Sequence, residues 1–506
     1  MGLGATACTT SSSGSGDTKG GGNGRISAAM ASDPTSLDPS KGTIAADLQM
    51  ARMTYDSLVG RDDGGKVVPA LAEKWDATST KAEFTLKSGI TCTDGAKLTA
   101  SDVAASLNRF GDPKTGATAA AQVFGAGNTV TATGDDASRK VTVQLKNAWS
   151  DLLYGLAMPQ ASIICPAAMK DPDLLKNGGK GAGTGRYYLT KAQPGSVYSL
   201  TAHEGYKWGP QYAKQPAGKE PSGADMRVVQ SEATMANEMQ TGTLDSIGLT
   251  GADVARFTGK SGYKIEPAPI VRMMVVFNER KGHPGADPKV RKAMAAALDQ
   301  KAFNQAVTRG SGQLMTSIAD ANVPCVSKDA SLLTAYDKAA ASKDLKGLKI
   351  TVEGTNAVAG GAGNEYVQAA LKAAGANVTL RNVANANWGT EVLGNKGDWD
   401  VTVLPNLNLT NLLTAPASLM SGPEPTAGRN FGNIQNPAFD KAFGKALSTT
   451  DETAKCAAWG DAQKALLTRN DVVPMAAVNV YYIDGSRILS AAPDGLYDPG
   501  TIRLKK

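Results

Sequence analysis

Apolar positions along this chain follow two periods. After Gly347, Lys349–Val352 is a short β-branched run that reads as a strand. Glu365–Ala374 sets Tyr366, Ala369, Ala370 and the Leu371–Ala374 edge on one helical face, and Gly375 stops it. Val378, Leu380 and Val383 alternate as a second strand, and Trp399–Leu404 (WDVTVL) reads as a third. Strand, helix, strand and strand in that order predict an α/β unit with a parallel sheet. Ligands of such sheets sit beyond the carboxyl ends of the strands.

Polar punctuation predicts further helices. Thr99-Ala100-Ser101-Asp102 has the form of a capping box, followed by Val103, Leu107 and Phe110 on one face. Asp287-Pro288 supplies an N-cap and a proline at the first helical position, opening a helix through Val290, Met294 and Leu298. Asn436-Pro437 opens another, with Phe439 and Phe443 on one side, and Thr453 to Leu467 turns Trp459 and Leu466 inward. Val68-Pro69-Ala70-Leu71-Ala72 reads as a turn into a packed helix with Trp75 as an anchor, and Asp94-Gly95 as a turn pair.

Length and composition narrow the function classes. The chain has 506 residues, 42% of them hydrophobic, which is too long for one core and predicts two to four lobes. Against 53 basic residues stand 47 acidic ones; this mild bias lacks the dense basic stripe of a nucleic-acid binder. No apolar run approaches a membrane-spanning length, the longest compact one lying around Met273–Phe277. The only two histidines, His203 and His283, are read as surface residues, so neither a metal site nor histidine-centred catalysis is expected. No GxSxG, HExxH or P-loop pattern occurs, and no cofactor is expected. Ser261-Gly262-Tyr263-Lys264 matches SxxK and Lys114-Thr115-Gly116 matches KTG, but in reversed order and without SDN, so a secreted hydrolase stands only as the rival reading.

The first residues, Met1-Gly2-Leu3-Gly4-Ala5-Thr6-Ala7-Cys8, resemble the end of a bacterial lipoprotein signal peptide. Cys8 would then be the lipidated residue, and the Thr, Ser and Gly stretch from Thr9 to Gly24 a flexible tether. The remaining cysteines, Cys92, Cys165, Cys325 and Cys456, are even in number and fit two disulfides, with three possible pairings.

An ordered set of segments carries a family resemblance. Pro34-Thr35-Ser36-Leu37-Asp38-Pro39 is followed by Tyr55-Asp56-Ser57-Leu58-Val59, Val68–Trp75, Phe84–Gly89 and Asp94–Val103. Later come Gly183-Thr184-Gly185-Arg186-Tyr187, then Phe277-Asn278 with Val290-Arg291-Lys292-Ala293 and Ala297-Leu298-Asp299, then Asn436–Asp440 and Val473-Pro474. From Arg25 to Lys506 the chain resembles the peptide/nickel-type (family 5) solute-binding proteins of ABC importers. That resemblance implies a type II, cluster C periplasmic-binding-protein-like α/β fold, with two ligand-facing lobes and an accessory lobe.

Carried over, lobe I comprises 25–58, 184–273 and 476–506, accessory lobe II 59–183, and lobe III 274–475. Strands near Val275–Asn278 and Met475–Asn479 form the hinge. Cys92–Cys165 and Cys325–Cys456 are then the favoured pairs, because each lies within one lobe. The resemblance further implies a monomer anchored on the extracytoplasmic face of the cell membrane. Its partners would be a small solute, peptide-like by preference, and a membrane ABC permease. A sugar, opine-like compound or metal chelate is the alternative cargo. Where peptide-binding members place an aspartate for the ligand's α-ammonium, this chain has Pro405–Asn411 without a carboxylate, pointing instead to neutral recognition of amides or hydroxyls. Candidate solute contacts are Trp388, Asn406, Asn408 and Thr410. Backbone groups of Gly248, Leu249 and Thr250, with Asn356, Asn479 and Phe124, complete the set.

Overall fold

A computed structural model describes residues 24–505 apart from 63–64, 118, 126, 213–216, 409, 426–427, 487 and 490–494. Cys8 and the Thr9–Gly24 tether, except Gly24 itself, lie outside the described residues. Two long antiparallel strands, Lys264–Phe277 and Val472–Asp484, form the spine of an 11-stranded sheet. On one flank the order continues through Val401–Leu407, Lys349–Thr355 and Asn377–Val383. The last two run parallel in register, Val352 opposite Leu380, with helix Ala362–Ala373 between them in sequence. On the other flank lie Ser246–Leu249, Arg25–Met30, Gly223–Val228, Val197–Ala202 and Tyr187–Gln193.

The spine changes neighbours part-way. Val271–Phe277 pairs with Leu407–Val401, whereas Lys264–Ala268 pairs only with Asp484–Val480, and the register breaks between Ala268 and Val271. Val275 to Phe277 is therefore held on the Val401–Leu407 side of the sheet, and the irregularity precedes it. Apolar clusters cover both faces on that side: Met274, Val276, Trp399 and Phe431 on one, Val275, Phe277, Met294 and Val403 on the other. Separate clusters around Met50 and Tyr187, and around Met239 and Ile247, cover the opposite flank.

A four-stranded sheet, Ala72–Ala77, Lys81–Leu86, Lys140–Leu145 and Val130–Asp135, makes a further core with helix Ala100–Gly111. Thr99 and Asp102 cap that helix reciprocally. The Asp102 amide donates to Thr99 Oγ1 at 3.2 Å, and the Thr99 amide to Asp102 Oδ2 at 2.9 Å. Val103, Leu107 and Phe110 enter the core. The segment Val68–Ala72 corrects the helical expectation. Val67–Pro69 is a strand paired with Val59–Arg61, and Ala72 opens the next strand opposite Leu86. The Ala72 amide donates to Leu58 O at 2.8 Å, so cross-chain pairing overrides the local alanine–leucine preference.

The recognisable motifs brace this accessory core against the main sheet. Asp56, buried, accepts from Tyr206 Oη at 2.8 Å, Thr184 Oγ1 at 3.0 Å and Trp208 Nε1 at 3.1 Å. Burial pushes its carboxyl up to about 6 against those donors. Gly183 and Gly185 lie so close to Thr54 and Tyr55 that a Cβ at either would collide with them. His203 is not on the surface: it is 6% exposed, edge-on to Trp208 with centroids 5.3 Å apart, because it fills the wedge beside Gly185. Disulfides join Cys92 to Cys165 and Cys325 to Cys456. Among the described residues no helix is long and apolar enough to cross a membrane.

Candidate functional site

Strand Val401–Leu407 ends beside the register break of the spine, and the chain that follows is bound inward from several directions. Arg272, opposite Asn406 on the spine, is 3% exposed. Its guanidinium donates to Asp320 Oδ2 at 2.7 Å, Asn408 O at 2.8 Å and Asn411 Oδ1 at 2.9 Å. Burial draws the guanidinium below its usual pKa, and Asp320 opposes that shift. The Asn408 amide donates to Ile270 O at 3.2 Å, tying the loop to the break itself.

Asn408 and Thr410 spend their polar groups within the loop. Asn408 Nδ2 donates to Leu412 O at 2.8 Å, and Asn408 Oδ1 accepts from Thr410 Oγ1 at 3.0 Å and the Leu412 amide at 3.3 Å. Asn406 differs. It is 8% exposed, and its Oδ1 is buried without a hydrogen-bond partner. An orphaned acceptor of that kind is costly unless a bound molecule donates to it.

Trp388 lies in the apolar cluster behind this strand, its indole N–H donating to Thr402 Oγ1 at 3.0 Å. Thr402 and Asn406 share a strand face four residues apart, so Trp388 sits about 13 Å deeper along it. Gly248 and Leu249 belong to the opposite flank. Gly248 pairs with Tyr482, and Leu249 is fully buried. Glu232 holds the Thr250 amide at 2.9 Å and Thr250 Oγ1 at 2.6 Å. Asn356 is exposed at the carboxyl end of Lys349–Thr355, and Asn479 donates to Ser311 O at 3.3 Å. Phe124 packs on Phe110 in the accessory core. The structure thus brings Asn406, Asn408 and Thr410 together; Asn479 lies across the spine from the register break to which Asn408 is bonded, and the short helix Ala120–Phe124 lines the Thr410 cavity through Ala121 and Gln122.

Three charged groups escape the local pattern. Arg429 donates to Ser418 Oγ at 3.1 Å and has no ion-pair partner among the described residues; burial alone draws its pKa down. Ser418 lines a small cavity with Thr410, Leu412 and Asp151. Glu353, fully buried on the parallel strand Lys349–Thr355, shares Arg381 with Glu391, and burial pushes its carboxyl up to about 7. Asp151 reaches this region from the accessory core. Nothing in spacing marks these residues; an arginine flanked by Gly428 and Asn430 is the only local hint for Arg429. A depression of about 590 Å³ lined by Lys349, Thr351, Asn377 and Asp400 is at the amino ends of the parallel strands, the wrong end for a ligand of such a sheet. Lys114 stands in the accessory part and Ser261 before the spine strand, on separate parts of the fold.

A sequence profile described as "Bacterial extracellular solute-binding proteins, family 5 Middle" matches residues 66–419. This chain belongs to that family. A substrate binding protein from Microbacterium hydrocarbonoxydans, solved in complex with 4-hydroxybenzoate hydrazide, superposes with a TM-score of 0.82 at 33% identity, covering 95% of this chain and 100% of that one. The periplasmic protein AgaA of A. tumefaciens R10, solved with agropinic acid, superposes at a TM-score of 0.78 and 19% identity, covering 96% and 99%. The probable D,D-dipeptide-binding periplasmic protein DdpA of Escherichia coli is 24% identical over 461 residues, 86% of this chain and 85% of its own. The fold is the two-lobed α/β type with an accessory lobe, and the protein is an extracytoplasmic solute-binding component.

Proposed function

We propose that this protein captures one small solute between its lobes, closes around it and delivers it unaltered to an ABC permease. We assign as cargo a peptide-like or other acyl compound that carries an anionic or acceptor group in place of a free α-amine. The observation that carries this is the charge of the site. Residues 405–411 hold no carboxylate, while Arg429 is a desolvated cation beside the cavity that Thr410 and Ser418 line. Asp151, the carboxylate that lines this cavity, is already paired with Lys455 and bonded to Thr414, so a buried ammonium would find no free counter-charge there, whereas a carboxylate or acyl oxygen would meet Arg429. The orphaned Oδ1 of Asn406 asks for an N–H donor, which an amide or hydrazide supplies. The neighbour solved with 4-hydroxybenzoate hydrazide supports an acyl cargo of this kind.

Anchoring through Cys8, the tether that follows it, the monomeric state and the lobe boundaries at 58, 183, 273 and 475 are part of this reading. Calorimetry with 4-hydroxybenzoate hydrazide, N-acyl dipeptides and free dipeptides tests the cargo. Acyl compounds should bind and free dipeptides should not, and Arg429→Ala should weaken a carboxylate-bearing ligand roughly 10- to 100-fold. Tight binding of free dipeptides that Arg429→Ala leaves unchanged would refute the assignment. For the anchor, Cys8→Ala should move the protein from the membrane fraction into the medium, and retention would reject it.

A further inference from the structure

The accessory core meets the solute loop and the helices behind it along one seam, and the polar contacts there converge on Asp151. Asp151 is 3% exposed. One carboxylate oxygen lies 2.5 Å from Lys455 Nζ, on helix Glu452–Thr468; the other accepts from Thr414 Oγ1. Beside it, the Ser150 amide donates to Leu447 O at 2.7 Å and Ser150 Oγ to Ala446 O at 3.0 Å. Leu447 packs against both the accessory cluster and the cluster behind the Val401–Leu407 strand. Further along, Arg61 Nη1 donates to Thr410 O at 2.5 Å.

These contacts join two rigid supports to the loop. The helix carrying Lys455 is pinned through the adjacent Cys456 to Cys325. Thr414 starts the short helix Thr414–Ala417, directly after the loop whose inner bonds run from Asn408 to Leu412. A cavity of about 260 Å³, lined by Tyr154, Cys325, Lys455 and Trp459, lies on one side of the Asp151–Thr414 contact. The smaller cavity holding Thr410 and Ser418 lies on the other. Asp151, Leu412 and Thr414 line both, so this contact borders the two cavities at once.

We propose that Asp151 is a positioning residue that latches the accessory lobe to the solute loop, so that the loop's order and the closure of the seam change together. The assignment of the loop to the solute rests on the function proposed above; the mechanical coupling does not. The argument is one of geometry. One carboxylate holds both Lys455 and Thr414, so separating the seam breaks the ion pair and the bond to Thr414 in the same step. Whatever stabilises the loop then favours the closed seam by the same factor, since coupling between two sites is reciprocal.

Residue-resolved hydrogen exchange of the solute-free protein tests this. The Ser150 amide, bonded across the seam, reports seam opening. The Leu412 amide, bonded to Asn408 Oδ1, reports loop opening. Asp151→Ala should accelerate both roughly tenfold, the scale of a typical inter-site coupling. Asp151→Asn, which keeps an acceptor for Thr414, should restore Leu412 more than Ser150. Thr414→Val, which leaves the ion pair intact, should accelerate Leu412 strongly and Ser150 to a smaller extent through the coupling, and serves if Asp151→Ala folds poorly. The latch is overturned if Asp151→Ala accelerates Ser150 while Leu412 keeps its wild-type rate, if neither amide responds, or if Thr414→Val leaves Leu412 unchanged. Scattering with and without 4-hydroxybenzoate hydrazide and N-acyl dipeptides is read separately. An unchanged radius of gyration at saturation sinks ligand-driven closure and leaves the exchange result standing.

Discussion

Asp320→Asn removes a single charge from beneath the solute loop. Asp320 is fully buried and Arg272 is 3% exposed, with the pair 2.6 Å apart, so solvent screening offers no relief when one partner is neutralised. Breaking such a pair from one side costs about 3–5 kcal/mol. Arg272 would keep hydrogen bonds to Ile270 O, Asn408 O and Asn411 Oδ1, which places the expected loss at the lower end, about 3 kcal/mol. Urea denaturation followed by tryptophan fluorescence measures it. The companion double variant, Arg272→Met with Asp320→Leu, removes both charges and should regain much of that stability. It should not regain affinity, because the Asn408 carbonyl and the Asn411 side chain have lost the group that holds them. An Asp320→Asn protein within about 1 kcal/mol of wild type, the range of an ordinary exposed pair, would refute the buried-pair reasoning. A double variant with unaltered affinity would refute the role of Arg272 in shaping the loop.

Other expectations follow from single residues. Glu279, buried against Asp471 and near Arg291 and Arg469, has its carboxyl pushed up to about 8, by burial first and by Asp471 second. The folded state therefore keeps a proton that the unfolded chain releases above its ordinary value of 4.5, so stability is full below that pH and falls as pH climbs towards 8. Glu279→Gln should flatten the melting temperature across that window, and an unchanged slope would show that Glu279 is ionised in the fold. Gly185→Ala drives a methyl into the Thr54–Tyr55 backbone and should cost about 1–3 kcal/mol in denaturant melts; a neutral result would mean that the strand-to-motif packing yields freely. Asn406→Leu removes a buried orphan acceptor and should raise the unfolding temperature while weakening acyl ligands, as read by calorimetry. Full affinity in that variant would exclude Asn406 from the site.

Sequence legibility divides by the range of the interaction. The caps at Thr99, Asp287 and Asn436 act on their own first turn, and each sits in the structure where its spacing indicates. The parallel pairing of Lys349–Thr355 with Asn377–Val383 was legible too, because hydrophobic period and the Gly375 stop are local signals. The path of Val68–Ala72 was not, since its strand state depends on Leu58 and Leu86, which local alanines and a leucine do not foretell. His203 read as a surface residue for the same reason: Trp208 and Gly185 bury it, and only folding brings all three into one wedge. Trp388 illustrates the limit for function. An aromatic residue after a strand–helix–strand unit has the same pattern whether it faces a ligand or packs in an apolar cluster, where the structure places Trp388 with its N–H on Thr402.

The solute loop follows from the same distinction. Its sequence, Pro405 to Asn411, shows amides and no charge, and so indicates what it can recognise. What holds it in place is supplied from elsewhere: Arg272 and Asp320 from the spine and the segment after it, Arg61 and Asp151 from the accessory core, with Arg429 beside it from beyond the loop. With the amides of Asn408 and the hydroxyl of Thr410 already bonded inward, the loop enters binding ordered, and little conformational entropy remains to be lost there. The groups left to reward a solute are those that the fold has desolvated without satisfying, Asn406 Oδ1 and the Arg429 guanidinium. On the function proposed above, selectivity rests on their chemistry, one acceptor and one cation, more than on the asparagines that the sequence displays.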